Sequence, residues 1–95
     1  MTAFVIFDIE VYDPEQYGAY RELAGPSVVQ YGGRYVVRGG PASTLEGAWD
    51  PKRVVVLEFD TVEDARTWYD SPAYRAARAI RDRAARAEAI IVEGV

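Results

Sequence analysis

Apolar and polar side chains alternate with a period of two along four short stretches of this chain. Between them, apolar residues recur at helical spacing. Residues 3 to 11, AFVIFDIEV, are rich in branched and aromatic side chains and too short for a buried helix, so they predict a first strand. Asp13 followed by Pro14 supplies an N-cap and a proline at the first helical position, with Glu15 favourable in the first turn. Tyr17, Tyr20, Ala24, Val28 and Tyr31 then give residues 14 to 31 one apolar face. Gly25-Pro26 is expected to interrupt this helix, because the residue before proline avoids the α region, and Gly32-Gly33 to end it. RYVVR, Arg34 to Arg38, predicts a second strand, and Gly39-Gly40-Pro41 opens a loop that reaches Pro51. Arg53 to Phe59 (RVVVLEF) is the clearest strand. Thr61 with Asp64 resembles a capping box that starts a helical turn through Trp68 and Tyr69, and Ser71-Pro72 restarts the helix. Ala73, Ala77, Ile80 and Ala84 form the buried stripe of that second helix, and Ala87 to Glu93 (AEAIIVE) predicts the fourth strand.

Two strand-helix-strand units with right-handed crossovers interleave most simply as a ferredoxin-like α+β fold, βαββαβ: a four-stranded antiparallel sheet with both helices on one face. Period-2 alternation assigns Val5, Phe7, Ile9, Tyr35, Val37, Val55, Leu57, Phe59, Ala89 and Ile91 to the helix side. The opposite set is Phe4, Ile6, Asp8, Arg34, Val36, Arg38, Val54, Val56, Glu58, Ile90 and Val92. That second face is too apolar for water, since a half-solvated antiparallel sheet normally alternates cleanly to polar. A second copy of the same sheet across a two-fold axis is the economical cover.

Composition strengthens the dimer expectation. With 95 residues the chain has room for one hydrophobic core and one domain, residues 1 to 95. Small domains often add disulfides, a metal or a partner, and the absence of cysteine and histidine removes disulfides and thiolate or imidazole metal sites. A net charge of -4 argues against nucleic acid as a partner. The basic run Arg75, Arg78, Arg81, Arg83, Arg86 reads as a solvated helix face with Arg78 and Asp82 paired. No apolar run approaches the roughly 20 residues of a membrane span, and MTAFVIFDIE lacks the basic start of a signal peptide, so no membrane association and a cytoplasmic location are expected.

A set of local features carries a family resemblance: Tyr31-Gly32-Gly33-Arg34-Tyr35, Arg38-Gly39-Gly40, Leu45-Glu46-Gly47, Trp49, Pro51, Arg53, Leu57-Glu58-Phe59, Trp68-Tyr69, Ser71-Pro72 and Tyr74. Over nearly its whole length the chain resembles the bacterial domain-of-unknown-function family thirteen-thirty. The resemblance implies the dimeric α+β-barrel superfamily, whose members include cofactor-independent monooxygenases, haem-degrading enzymes, lactone isomerases and proteins of no known activity. It supplies no catalytic set, and fold does not imply function.

The side chains limit the chemistry to carboxylates, tyrosines, arginines, a few hydroxyls and Lys52. Serine triads of the usual kind are excluded, and Ser71 reads as a helix cap. The double glycines read as turns rather than phosphate loops. The acidic residues are dispersed, so neither a metal nor another cofactor is expected, and haem would lack its most familiar ligand. Tyr17, Tyr20, Tyr31, Trp49, Trp68, Tyr69 and Tyr74 are core residues or, alternatively, line a pocket between helices and sheet roofed by the Trp49 loop. Trp49 is expected to be largely buried there. Arg34 should pair with Glu58, and Arg38 with Asp8 or with an acid of the partner, because isolated buried charges are costly. The sharper alternative is a site for an anionic ligand or a general base built from Asp8, Arg38 and Glu46. The candidates are therefore Asp8 and Glu46 for catalysis, and Arg38, Trp49, Tyr20 and Trp68 for ligand binding. The expected function is a homodimer with a small pocket for an apolar or aromatic metabolite, with cofactor-free oxygenase or isomerase chemistry. The alternative is a non-catalytic binding or structural module of the same fold.

Overall fold

The computed structural model describes residues 1–95. Its elements run β1 (Ala3–Val11), α1 (Pro14–Gln30), β2 (Arg34–Arg38), β3 (Val54–Phe59), α2 (Val62–Tyr69), α3 (Pro72–Ala84) and β4 (Ala85–Glu93). The strands form one antiparallel sheet in the order β2-β3-β1-β4, the ferredoxin-like arrangement. Alternation places Val5, Phe7, Ile9, Val55, Leu57 and Phe59 in one core with Tyr17, Tyr20, Ala24 and Val28 of α1 and Trp68, Tyr74 and Ala77 of α2 and α3. All three helices therefore cover a single sheet face.

The helix starts follow the capping signals. The Asp13 carboxylate accepts from the Gln16 amide at 3.2 Å, Thr61 Oγ1 from Asp64 at 3.0 Å, and Ser71 Oγ from Tyr74 at 3.1 Å. At the end of α1, Gly32 takes φ +79° and the Gly33 amide bonds Val28 O at 2.9 Å. Gly33 is also sterically required, because a Cβ there would strike the Phe59 ring.

Three local expectations are corrected. Helix α1 runs through Gly25-Pro26 without a break, with Pro26 inside it. Ala24, Ser27 and Val28 are buried on both sides of the proline, and that packing outweighs the one backbone bond proline forgoes. Strand β4 begins at Ala85, directly after α3, rather than at Ala87. Most consequential is a β-bulge in β2. Arg34 pairs with Glu58 and Tyr35 with Leu57, but Val37 pairs with Val56 and Arg38 with Val55. The extra residue flips the parity of the strand. Val37 thus joins the face away from the helices, and Arg38 joins the helix side, the reverse of what strict alternation predicts.

The face away from the helices carries Phe4, Ile6, Val54, Val56, Ile90 and Val92, with Ile90 59% exposed. At one edge of this face Arg34 and Glu58 form the predicted ion pair. No helix of the chain is long and apolar enough to cross a membrane.

Candidate functional site

The bulge gathers side chains that alternation had placed apart. Arg38 reaches from β2 toward α1, its Nη2 lying 3.5 Å from where a Cβ on Gly25 would sit, and its guanidinium stacks over the Tyr35 ring at 4.1 Å. Arg53, immediately before β3, has the same parity as Val55 and also points to the helix side. Its Nε donates to the Tyr17 hydroxyl at 3.2 Å, and the guanidinium lies 5.6 Å from that ring. Arg21, one helical turn after Tyr17, also lies over that ring, its guanidinium 5.8 Å from the centroid. Together with Ile9, Tyr20 and Val55 these residues line a cleft between α1 and the open end of the sheet.

Gly39 makes this arrangement possible. Its φ of +75° is open to glycine, and a Cβ would overlap the Arg53 guanidinium. The electrostatics of the cleft are one-sided. The ion pairs of the chain are Arg34–Glu58, Lys52–Asp50 and Arg81–Asp82, so Arg21, Arg38 and Arg53 have no carboxylate partner. No acidic residue lines the cleft. Burial raises the Tyr35 hydroxyl above the ordinary tyrosine range, against the opposing pull of Arg38, so it stays a neutral donor. The side chains fill most of the space, leaving a cavity of about 20 Å³.

Behind the cleft the aromatic packing continues inward. Tyr17 and Tyr20 rings meet at 5.3 Å, the Tyr20 and Tyr74 hydroxyls at 2.9 Å, and Arg81 Nη1 donates to the Tyr74 hydroxyl at 3.0 Å. Arg81 is only 7% exposed, which corrects the reading of α3 as a solvated basic face. Arg78 stacks over Tyr69 at 4.2 Å instead of pairing with Asp82.

The structure does not bring the remaining candidates to this cleft. Trp68 is a sealed core residue stacked on Tyr74 at 4.1 Å, and its indole donates to Ser27 Oγ at 3.0 Å. Trp49 is 61% exposed rather than buried, and it lies on the other face of the sheet, so it roofs no pocket under the helices. Asp8 and Arg38 do not meet, because the bulge puts them on opposite faces. The Asp8 carboxylate instead holds the 40 to 51 loop: it accepts from Trp49 Nε1 at 2.9 Å, the Lys52 amide at 2.9 Å and the Arg53 amide at 3.4 Å. The Trp49 bond above all, with the two amides and Lys52, outweighs desolvation and keeps Asp8 below the usual carboxylate range. A carboxylate so occupied is a poor base. Glu46 stays exposed on the loop, so no triad of Asp8, Arg38 and Glu46 forms. A notch of about 230 Å³ beside Asp8, lined by Glu10, Trp49, Asp50, Lys52, Arg86 and Glu88, carries charges of both signs, with Trp49 its one hydrophobic residue.

Tyr35, Arg21 and Arg53 were not among the sequence candidates for the site, whereas Tyr17 was one of the rings expected either to fill the core or to line a pocket. Arg53 was legible in the parity of Val55, Leu57 and Phe59, whereas Arg38 was on the right residue and the wrong face.

The family described as "Domain of unknown function (DUF1330)" matches residues 2–95. The chain belongs to this family. Among solved structures, this DUF1330 chain is similar to the RPA0582 protein of unknown function from Rhodopseudomonas palustris, at TM-score 0.77 and 22% identity over 99% of this chain and 82% of that one. It is also similar to SnoaB, a cofactor-independent oxygenase from Streptomyces nogalater, at TM-score 0.64 and 13% identity over 99% and 92%. A dimeric ferredoxin-like protein of unknown function from Thermobifida fusca aligns at TM-score 0.62 and 20% identity over 97% and 90%. At these identities the likeness carries the fold alone. No curated protein matches this DUF1330 sequence.

Proposed function

We propose that this DUF1330 protein is a homodimer, joined through the sheet face bearing Ile6, Val54, Val56 and Ile90, and that the helix-side cleft of each protomer binds a compact aromatic anion. The observation that carries the binding reading is the set of arginines, Arg21, Arg38 and Arg53, stacked on tyrosine rings without any carboxylate to neutralise them. Aromatic faces accept a flat ligand and guanidinium groups accept its carboxylate or phenolate in bidentate fashion. Entry requires Arg21 and Arg38, both exposed, to swing off their rings. Each exposed cation–π contact contributes about 0.5–1 kcal/mol, so opening costs less than a charge-assisted pair returns. The dimer reading is supported by the uncovered apolar face and by the dimeric neighbour of the same fold.

Between the two chemistries expected at the outset, the cleft favours cofactor-free oxygenation over isomerisation. Proton shuttling needs a base, and the cleft holds no carboxylate. An oxygenase without a redox group draws its electrons from the substrate's own anion, so its protein must stabilise that anion, which a tyrosine cleft rimmed by arginines is built to do. The oxygenase among the solved neighbours adds a fold-level analogy.

4-Nitrophenol tests the site, because its phenolate absorbs in the visible. In the cleft it should ionise at a pH below that needed in free solution, and Arg53→Ala should abolish the effect. Absence of any spectral change on adding the wild-type protein, together with no saturable binding, would remove the proposal.

A further inference from the structure

The buried end of the aromatic network contains a group the cleft alone does not explain. Arg81 carries a charge in the core, yet its Nε has no hydrogen-bond partner and its one carboxylate contact, to exposed Asp82, is 3.4 Å long. Its best bond is the 3.0 Å donation to the Tyr74 hydroxyl. A guanidinium only donates, so the Tyr74 oxygen must accept. The Tyr74 proton then has one neighbour available, the Tyr20 oxygen at 2.9 Å. In the reverse arrangement Tyr20 donates to Tyr74, and the Tyr74 proton is left in a sealed core with no acceptor, since Tyr74 is 0% exposed. Of the two tyrosines only Tyr20 lines the cleft, although it is itself only 6% exposed, so an acceptor arriving from outside has the Tyr20 proton alone to meet. Burial first, then the neighbouring Tyr74, holds the Tyr20 hydroxyl well above the ordinary tyrosine range, so it remains a donor rather than a base.

We propose that Arg81 is a positioning residue: acting through Tyr74, it orients the Tyr20 hydroxyl as a fixed hydrogen-bond donor to an acceptor oxygen of the ligand. This rests on the cleft being the binding site and narrows the ligand class to aromatic anions with a carboxylate, phenolate or carbonyl oxygen seated at Tyr20. Tyr20 touches the ligand; Arg81 and Tyr74 do not. The chain of donors is polarised from the buried cation outward, which strengthens the last bond in it.

Sodium 1-naphthoate is the probe, titrated by isothermal calorimetry into wild type, Tyr20→Phe, Arg81→Met and the double variant, with melting temperature measured for each. Arg81→Met removes a buried charge and keeps an unbranched, flexible side chain, shorter by the guanidinium end, that can fill the apolar part of the site, so the fold should hold or gain stability. The expected result is that Tyr20→Phe and Arg81→Met each weaken binding roughly tenfold, the loss expected for one hydrogen bond to a charged group. The double variant should be no weaker than Tyr20→Phe, because both changes remove the same bond. Unchanged affinity in Arg81→Met, or losses that multiply in the double variant, overturns the relay while leaving the cleft intact. If wild type binds no naphthoate at all, the cleft and the relay fall together. Should Arg81→Met not fold, Tyr74→Phe with the same non-additivity criterion decides the question.

Discussion

Placing a carboxylate in the middle of the apolar outer face tests the homodimer directly. Val56 is half-buried at the centre of β3, between Ile6 of β1 and Val37 of β2, and its side chain lies outside the helix-side core. Val56→Asp therefore leaves the protomer's own packing in place and acts on whatever covers this face. In a two-fold dimer the substitution enters twice. An unpaired polar group buried in protein costs about 1–3 kcal/mol and a charged one more. Two copies thus cost at least about 2–6 kcal/mol, which raises a dimer dissociation constant roughly 30- to 10⁴-fold or more. Sedimentation velocity at micromolar concentration should show a dimer for wild type and for the control Val56→Ile, and a folded monomer for Val56→Asp. A wild-type monomer, or a Val56→Asp protein that sediments as the wild-type dimer, would refute the reasoning.

Other outcomes follow from single residues. Asp8→Asn keeps the shape of the side chain but loses the charge that three donors converge on, so the 40 to 51 loop should loosen and Trp49 emission should shift to the red. The same latch should open in acid. Asp8 is depressed in the folded protein, so its contribution is complete above the ordinary aspartate value near 3.9 and is lost as pH falls through the lower folded value; Trp49 emission followed across that range reads it. Gly39→Ala meets both a positive φ and the Arg53 guanidinium; it should lower stability by about 1–2 kcal/mol in chemical denaturation and weaken naphthoate binding, whereas Gly40→Ala, with open space around it, should do neither.

What could be read from the sequence was whatever depends on local pattern. Caps at Asp13, Thr61 and Ser71 announce themselves through side chain and proline or acid at fixed offsets, and β1 and β3 show their buried faces by strict alternation. The fold followed from those together with the two weaker strand patterns and the right-handed crossover rule. The site was less legible because one inserted residue in β2 inverts everything after it, and Val36-Val37 carry no side-chain mark of a bulge. That single shift separated Arg38 from Asp8 and delivered it to Tyr35. Arg81 was hidden for a different reason: the four arginines of α3, Arg75, Arg78, Arg81 and Arg83, look alike in sequence, and only the tertiary approach of Tyr74, Tyr20 and Phe7 distinguishes the buried one. Trp49 misled because a large aromatic in a long loop is expected to anchor in the core, whereas here its indole anchors to the Asp8 carboxylate of a central strand, on the other face.

The most direct measurement is a chemical-shift map of the wild-type protein titrated with 1-naphthoate, observing the Arg Nε–H, Tyr ring and Trp indole signals together. A ligand between α1 and the sheet should shift the Arg53 and Arg38 Nε–H and the Tyr17, Tyr20 and Tyr35 rings saturably and with one common dissociation constant, while the Trp49 indole stays still. Shifts confined to Trp49 and the backbone around Asp8 and Glu88, with the tyrosines unmoved, would place binding in the notch on the outer face and contradict the cleft as the site of function.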